Sequence, residues 1–218
     1  MISLDLDTPT LTKIIANPAH PHVRRDLRDV DSLHRTVTDF ACPPGFGPNA
    51  RQAAGLLYRV EETAAGVLLL VQSKFPVDSS RLPPGYGHGG TRDLQAHLAR
   101  MTPGTGVRYR IVANPTKQVF VRGQRGTVRS LSDEEAHAWW QRKATQYGLE
   151  LTTAYMRWSD VRTGLRKCGE KSTKITVAVT QFEGTAFIRH PEQVREGILN
   201  GIGRAKSYGC GLLSLAVL

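Results

Sequence analysis

The chain is poor in cysteine, in carboxylates and in long apolar runs, and each shortage removes a class of protein. Its three cysteines, Cys42, Cys168 and Cys210, are odd in number, widely separated and never in a CxxC pair. That excludes a disulfide framework and a cysteine-rich zinc site, and it suits a reducing cytoplasm. The longest apolar run, Val67 to Val71, is far shorter than the roughly 20 residues a membrane-spanning helix needs. The opening, Met1-Ile2-Ser3-Leu4-Asp5-Leu6-Asp7, has neither a basic start nor a continuous apolar segment, so neither secretion nor a membrane partner is expected. Asp and Glu number 19 against 29 Lys and Arg, a formal charge of +10 with the seven histidines neutral. A polyanion is the natural partner of such a chain, nucleic acid first, because neutralised phosphates release counterions and supply affinity without regard to sequence.

What is present is enough apolar material, 40% of 218 residues, for one large domain or two small ones. The positive charge is unevenly placed. Arg100, Arg108, Arg110, Lys117, Arg122, Arg125 and Arg129 fall in a stretch with no carboxylate, whereas residues 1–35 balance five cations against five acids. A localised basic face is implied, with Arg108 and Arg110 on its strand; a solvated surface with chance clustering is the alternative.

Thr10 to Ala16 reads as a strand closed by Asn17-Pro18, and Arg24 to Phe40 as a basic entry into a helix with Val30, Leu33 and Val37 on one face. Gly55 to Val60 and Gly66 to Phe75 read as a hairpin. Pro76, Pro83, Pro84 and the glycines up to residue 91 predict a long loop, with Gly85 to Gly90 disordered. A short helix near Arg92 to Arg100 and the alternating strand Val107 to Ala113 complete a βαββαβ order. The second half repeats it. Ser132 and Glu135 form the pattern of a capping box before a helix carrying Ala136, Trp140, Ala144 and Tyr147, with Trp140 in the core. Strands at Leu149 to Trp158 and Ile175 to Phe182, a helix at Pro191 to Asn200 and a strand at Leu212 to Val217 follow. The expected fold is α+β, two tandem ferredoxin-like βαββαβ domains as in RNA-recognition modules, residues 1–117 and 118–218, with the boundary near 116 to 122.

Two segments hold concentrated chemistry. Between Gly197 and Leu215 five glycines surround Arg204 and Lys206. The segment lacks GxxxxGK[ST], and Gly201-Ile202-Gly203 meets Lys206 where a dinucleotide fingerprint needs glycine, so no nucleotide cofactor is expected. A loop of bare backbone at Gly201 and Gly203 that approaches phosphates, with Arg204 and Lys206 supplying charge, is one reading; a turn from helix into strand is the other. The second segment, Asp160 to Lys174, has five cations against two acids. Arg162, Arg166, Lys167, Lys171 and Lys174 there form either a protruding basic hairpin or a solvated loop. His20 and His22 have no Cys or carboxylate partners in ligand spacing, so no metal site is expected.

The run Gly201-Ile202-Gly203-Arg204-Ala205-Lys206-Ser207-Tyr208-Gly209-Cys210-Gly211-Leu212-Leu213-Ser214-Leu215 resembles the terminal signature of the CasE family of CRISPR-associated endoribonucleases. Leu11 to Pro18, Arg24-Arg25-Asp26-Leu27 leading to Leu33-His34-Arg35-Thr36, and Ala113 to Lys117 resemble that family in the same order along the chain. The resemblance implies two ferredoxin-like domains and metal-independent cleavage of a CRISPR repeat RNA hairpin, without a cofactor. It also implies retention of the product with other subunits in the surveillance complex Cascade. His34 is carried over as the catalytic residue; on residues alone, a single helical histidine reads more readily as a structural one. Imidazole titrates near neutral pH and can take a proton from the attacking 2′-OH or give one to the leaving 5′-oxygen, yielding a 2′,3′-cyclic phosphate and a 5′-hydroxyl. Arg35 and Lys206 would stabilise the phosphorane charge. The family carries tyrosine three residues before the histidine, where this chain has Asp31, which shares a helical face with His34 and would orient or charge it, or serve only as an early-helix carboxylate. The basic hairpin would hold the RNA stem. A non-catalytic subunit that binds an RNA hairpin is the reading from another class.

Overall fold

In a computed structural model, which describes residues 9–63, 66–120, 126–169 and 171–218, the alternating run Thr10–Ala16 is strand β1, with alternate side chains buried. It pairs antiparallel with β3 (Gly66–Ser73) on one side and β4 (Gly87–Asp93) on the other, and β2 (Leu57–Thr63) pairs with β3. The sheet order is β2-β3-β1-β4. Between β1 and β2 lie α1 (Pro21–Arg28), α2 (Val30–Ala41) and the short α3 (Ala50–Ala53). Pro21 opens α1, where its missing N–H costs nothing. Asp29 caps α2 by accepting a hydrogen bond from the Ser32 N–H at 2.8 Å. Leu33, Val37 and Phe40 recur at helical spacing and bury one stripe of α2 in a core with Ile14, Leu69 and Val71.

Gly87–Asp93 is a strand and not the expected loop. Glycine normally argues against a strand, but here it permits close approach. A Cβ on Gly89 would lie 1.7 Å from the Lys13 carbonyl oxygen, and one on Gly87 2.5 Å from that of Ile15. In place of the expected disorder at Gly85 to Gly90, Gly87 to Gly90 pair with β1, and the Tyr86 carbonyl accepts from the Asn17 N–H at 2.8 Å. Between β3 and β4 the only helical turn is Ser79–Arg81, and α4 (Gln95–Ala99) follows β4. Pro76, Pro83 and Pro84 explain the shortening, since each removes a helical donor.

β5 (Gly106–Ala113), expected as the closing strand of the first set, instead pairs with β9 (Lys171–Ile188) and β10 (Ser214–Val217). With α5 (Asp133–Gln146), β8 (Leu149–Cys168) and α6 (Pro191–Asn200) these strands form a second sheet of order β10-β5-β9-β8. In both sheets the closing strand of the set lies beside its first, then comes the third, then the second, the ferredoxin-like order. The fold is α+β with two such domains. The small hairpin β6 (Thr116–Val119) and β7 (Thr127–Ser130) precedes α5. Trp140 is fully buried and stacks on Phe182 at 5.7 Å. Helix α5 starts at the expected place, yet Ser132 makes no side-chain cap. Glu135 is drawn instead to Lys117 at 2.6 Å and Arg129 at 2.7 Å, and two full charges outcompete one amide N–H.

By contact the chain divides into two units, each discontinuous in sequence. The first comprises Met1–Ala99, Arg162–Thr176 and Lys206–Gly209, and the second Arg100–Val161, Val177–Ala205 and Cys210–Leu218. Arg122 and Arg125 of the basic stretch and the opening residues 1–8 lie outside the described residues.

Candidate active site

Within the first unit α2 presents Asp31, His34 and Arg35 at spacings of three and four residues, so the three share one helical face. The Arg162–Thr176 stretch meets the start of that helix closely. A Cβ on Gly164 would lie 2.9 Å from Val30 Cγ2 and 3.0 Å from the Asp31 nitrogen. The Leu165 N–H donates to Asp29 Oδ2 at 3.0 Å, so one carboxylate caps α2 and fastens the strand. Burial opposes the charge of Asp29, but the N–H groups of Ser32, Leu165 and Asp31 outweigh it and hold the carboxyl below its ordinary range.

One residue further on, Arg166 Nε donates to Asp31 Oδ1 at 3.3 Å, while Arg35 approaches Asp31 Oδ2 at 3.4 Å. Asp31 is 5% exposed, and the two guanidinium groups supply the charge pairing that a buried carboxylate needs. Arg166 also donates through a terminal nitrogen to the Tyr208 hydroxyl, and its guanidinium lies 6.0 Å from the Tyr208 ring centre. The hydrogen bond to Asp31 foremost, and the neighbouring Tyr208, keep Arg166 more firmly protonated than usual. Tyr208 belongs to the turn Lys206–Tyr208, which Tyr58 anchors by donating to the Ser207 carbonyl at 2.7 Å.

His34 is half-buried, its Nδ1 3.4 Å from Thr38 Oγ1 and its ring edge-on to Tyr208 at 6.3 Å between centres. Burial lowers its pKa below the ordinary 6.5. The Asp31 carboxylate pulls the other way, and Arg51, Arg166 and Arg35 reinforce the lowering. The imidazole is therefore neutral at neutral pH and able to accept a proton. It opens on a pocket of about 490 Å³ lined by Asp31, His34, Arg35, Asn49, Arg51, Gln52, Arg166, Lys167 and Ser207. Four of those side chains are cationic, and the one carboxylate is already paired, so the pocket suits a phosphate. Lys206 stands on the same turn as Ser207, its ammonium destabilised first by burial and then by Arg51. Among the described residues no three His, Cys, Asp or Glu side chains gather as a candidate metal-ligand set, and no helix is long and apolar enough to cross a membrane.

The expected residues thus divide. Asp31, His34, Arg35, Arg166 and Lys167 share one pocket, with Lys206 on the turn beside it. Arg162 is in the same unit, its guanidinium 3.2 Å from where a Cβ on Gly209 would be; Lys171 and Lys174 are exposed on β9. Arg108, Arg110, Gly201, Gly203 and Arg204 belong to the second unit. There Arg110 pairs with Glu183 at 3.2 Å, Gly201 is buried as the C-cap of α6, and Gly203 is backed against Trp139. Asn49, Arg51, Gln52 and Tyr208 went unnoticed in the sequence. Only Tyr208 carried a signal, its place between Lys206 and Gly209.

A family model described as "CRISPR associated protein" matches residues 11–216, and the chain belongs to that family. It is 29% identical to CRISPR-associated endoribonuclease Cse3 of Thermus thermophilus, over 94% of this chain and 99% of the relative. Among solved structures it is similar to CRISPR endoribonuclease Cse3 bound to 19 nt RNA, with 27% identity and a TM-score of 0.81, covering 96% of this chain and 99% of that one. It is also similar to a chain of a CRISPR RNA-guided surveillance complex in a pre-nicking state, 38% identical with a TM-score of 0.71, covering 96% of this chain and all of the other.

Proposed function

We propose that this protein is a metal-independent endoribonuclease that cleaves CRISPR repeat RNA hairpins and remains bound to its product with the other subunits of Cascade, in the cytoplasm. The observation that carries the reading is the half-buried, neutral imidazole of His34 opening into a pocket with Arg35, Arg51, Arg166 and Lys167 on its wall. Membership of a CRISPR-associated family and likeness to a named endoribonuclease support the substrate class. In the proposed reaction His34 takes the proton of the ribose 2′-OH as that oxygen attacks the adjacent phosphorus. The bond from phosphorus to the 5′-oxygen breaks, and that oxygen gains a proton, leaving a 2′,3′-cyclic phosphate and a 5′-hydroxyl. Arg35, Arg51 and Arg166 of the pocket, with Lys206 on the turn beside it, stabilise the added charge on the phosphorane oxygens. Arg162, Arg166, Lys167, Lys171 and Lys174 grip the stem through phosphates, because the deep A-form major groove limits base reading. Of the remaining expected contacts, Arg108 and Arg204 are exposed and form a second RNA-facing set in this reading, whereas Gly201 is buried, Gly203 is backed against Trp139 and Arg110 is held by Glu183. Pairing of β5 with β9 and β10 favours a domain boundary between Ala99 and Gly106 over one near 116 to 122.

The test is single-turnover cleavage of the cognate repeat hairpin in excess EDTA. The parent is expected to cut, and His34→Ala to cut about 10²-fold or more slowly with little change in affinity. A His34→Ala protein that cuts at the parental rate, or cleavage that requires added divalent metal, would overturn the reading.

A further inference from the structure

Cleavage by 2′-OH attack moves two protons, one off the nucleophile and one onto the leaving oxygen. A neutral His34 accounts for the first. The second needs a neighbour with a proton to give. Asp31 cannot supply it, because its carboxylate accepts from Arg166 at 3.3 Å and pairs with Arg35 at 3.4 Å. Arginine does not release protons at ordinary pH. Thr38 and Ser207 offer only aliphatic hydroxyls. That leaves Tyr208 and Lys206.

The structure assigns the second proton to Tyr208: we propose that its phenol is the general acid opposite His34, held in place by Arg166, which Asp31 anchors in turn. The inference rests on the endoribonuclease reading above. Three observations converge on it. The Tyr208 ring stands edge-on to His34 at 6.3 Å between centres, close enough for both to reach one phosphodiester. Arg166 bridges Asp31 and the Tyr208 hydroxyl. A guanidinium has donors only, so the phenol oxygen must accept there and its own hydrogen is left to donate elsewhere. Tyr208 is half-buried, and burial together with the Asp31 charge keeps the phenol protonated, while Arg166 favours the phenolate. A neutral acid beside a fixed cation suits a group that is protonated before the step and carries charge after it.

The step balances as follows. The 2′-oxygen forms its bond to phosphorus and passes its proton to His34; the phosphorus bond to the 5′-oxygen breaks, and that oxygen takes the proton of Tyr208. An imidazolium and a phenolate paired with Arg166 remain, and one proton returning from the first to the second through solvent restores the enzyme. Asp31 is a positioning residue in this scheme, since it reaches the reaction through Arg166.

A substrate whose scissile 5′-oxygen is replaced by sulfur tests this, because a thiolate leaves without protonation. Tyr208→Phe keeps the ring and removes the acid. It is expected to cut ordinary repeat RNA at least tenfold more slowly than the parent, with unchanged affinity, and to cut the sulfur substrate at nearly the parental rate. Lys206→Met is expected to lose activity equally on both substrates. Equal loss on both by Tyr208→Phe, no loss on either, or relief by sulfur in Lys206→Met alone would overturn the assignment. The parent and His34→Ala separate this failure from that of the endoribonuclease reading: where that reading holds, the parent cuts ordinary repeat RNA in EDTA and His34→Ala stays slow on both substrates, whereas a parent that does not cut, or a His34→Ala protein that cuts both normally, would mean that reading is wrong.

Discussion

His34 sits among charges of both signs, and the sign of each sets a separate expectation. Burial lowers its pKa below 6.5, Asp31 opposes the lowering, and Arg51 adds to it. With His34 as the base, cleavage declines on the acid side as the pH falls through that lowered value. Asp31→Asn keeps an oxygen for Arg166 but removes the charge that raises the pKa, so the acid limb is expected at lower pH than in the parent. Arg51→Gln removes a charge that lowers it, so its limb is expected at higher pH. NMR titration of the His34 ring in the three proteins checks both signs; coincident curves would remove both residues from the proton chemistry. Linkage carries the same sign. The unfolded chain, with His34 at its ordinary 6.5, binds more protons than the folded one between the lowered value and 6.5. The contribution of His34 to stability is therefore full above that window and lost as the pH falls through it. At this scale the sequence was only partly legible. His34 could be named because neighbouring residues matched a family pattern; Arg51 could not, because it reaches the pocket from the short α3, whose placement no local pattern specifies.

Secondary elements were legible where a periodic apolar stripe decides them and illegible where close backbone approach does. Val30, Leu33 and Val37 identify α2 in advance because burial follows helical spacing. Strand β4 was hidden because Gly87 and Gly89 look like breakers until the Lys13 and Ile15 carbonyls opposite them are known. Alternation marked β5 as a strand without naming its partners, and only pairing with β9 and β10 moves it into the second set. Gly164 repeats the pattern of β4 at the candidate active site, since its missing Cβ lets β8 lie against the Asp29 cap and the start of α2. Gly164→Val is expected to push that strand away, costing about 1–3 kcal/mol of stability by overpacking. It should also loosen the hold of Asp29 on Leu165 and of Asp31 on Arg166, so that cleavage falls by more than tenfold while RNA affinity falls less. Urea denaturation and single-turnover kinetics on the same preparation measure the two effects. A stable variant that cuts normally would show that the contact at Gly164 does not position Arg166.

For the whole molecule the governing quantity is the excess of ten positive charges, and the question is which of them face phosphate. Carboxylates already claim several cations of the 100–129 stretch: Arg110 pairs with Glu183, and Lys117 and Arg129 share Glu135. Arg100 and Arg108 are exposed. In the other unit Lys167 lines the candidate active-site pocket, and Lys171 and Lys174 are exposed on β9 nearby in sequence. Arg166 is set aside from the test because it bridges Asp31 and Tyr208, so its loss would mix binding with chemistry. Affinity for the repeat hairpin is expected to fall steeply with salt, because each phosphate contact releases a counterion. Replacing Lys167, Lys171 and Lys174 together with Gln should flatten the plot of log K against log salt by about two to nearly three units, at roughly 0.7 to 0.9 for each lost contact. Cleavage of RNA already bound at saturating protein should change far less than affinity, since none of the three is assigned a proton. An unchanged slope in a folded triple variant would move the stem to Arg100 and Arg108, and neutralising that pair would then have to flatten the slope instead.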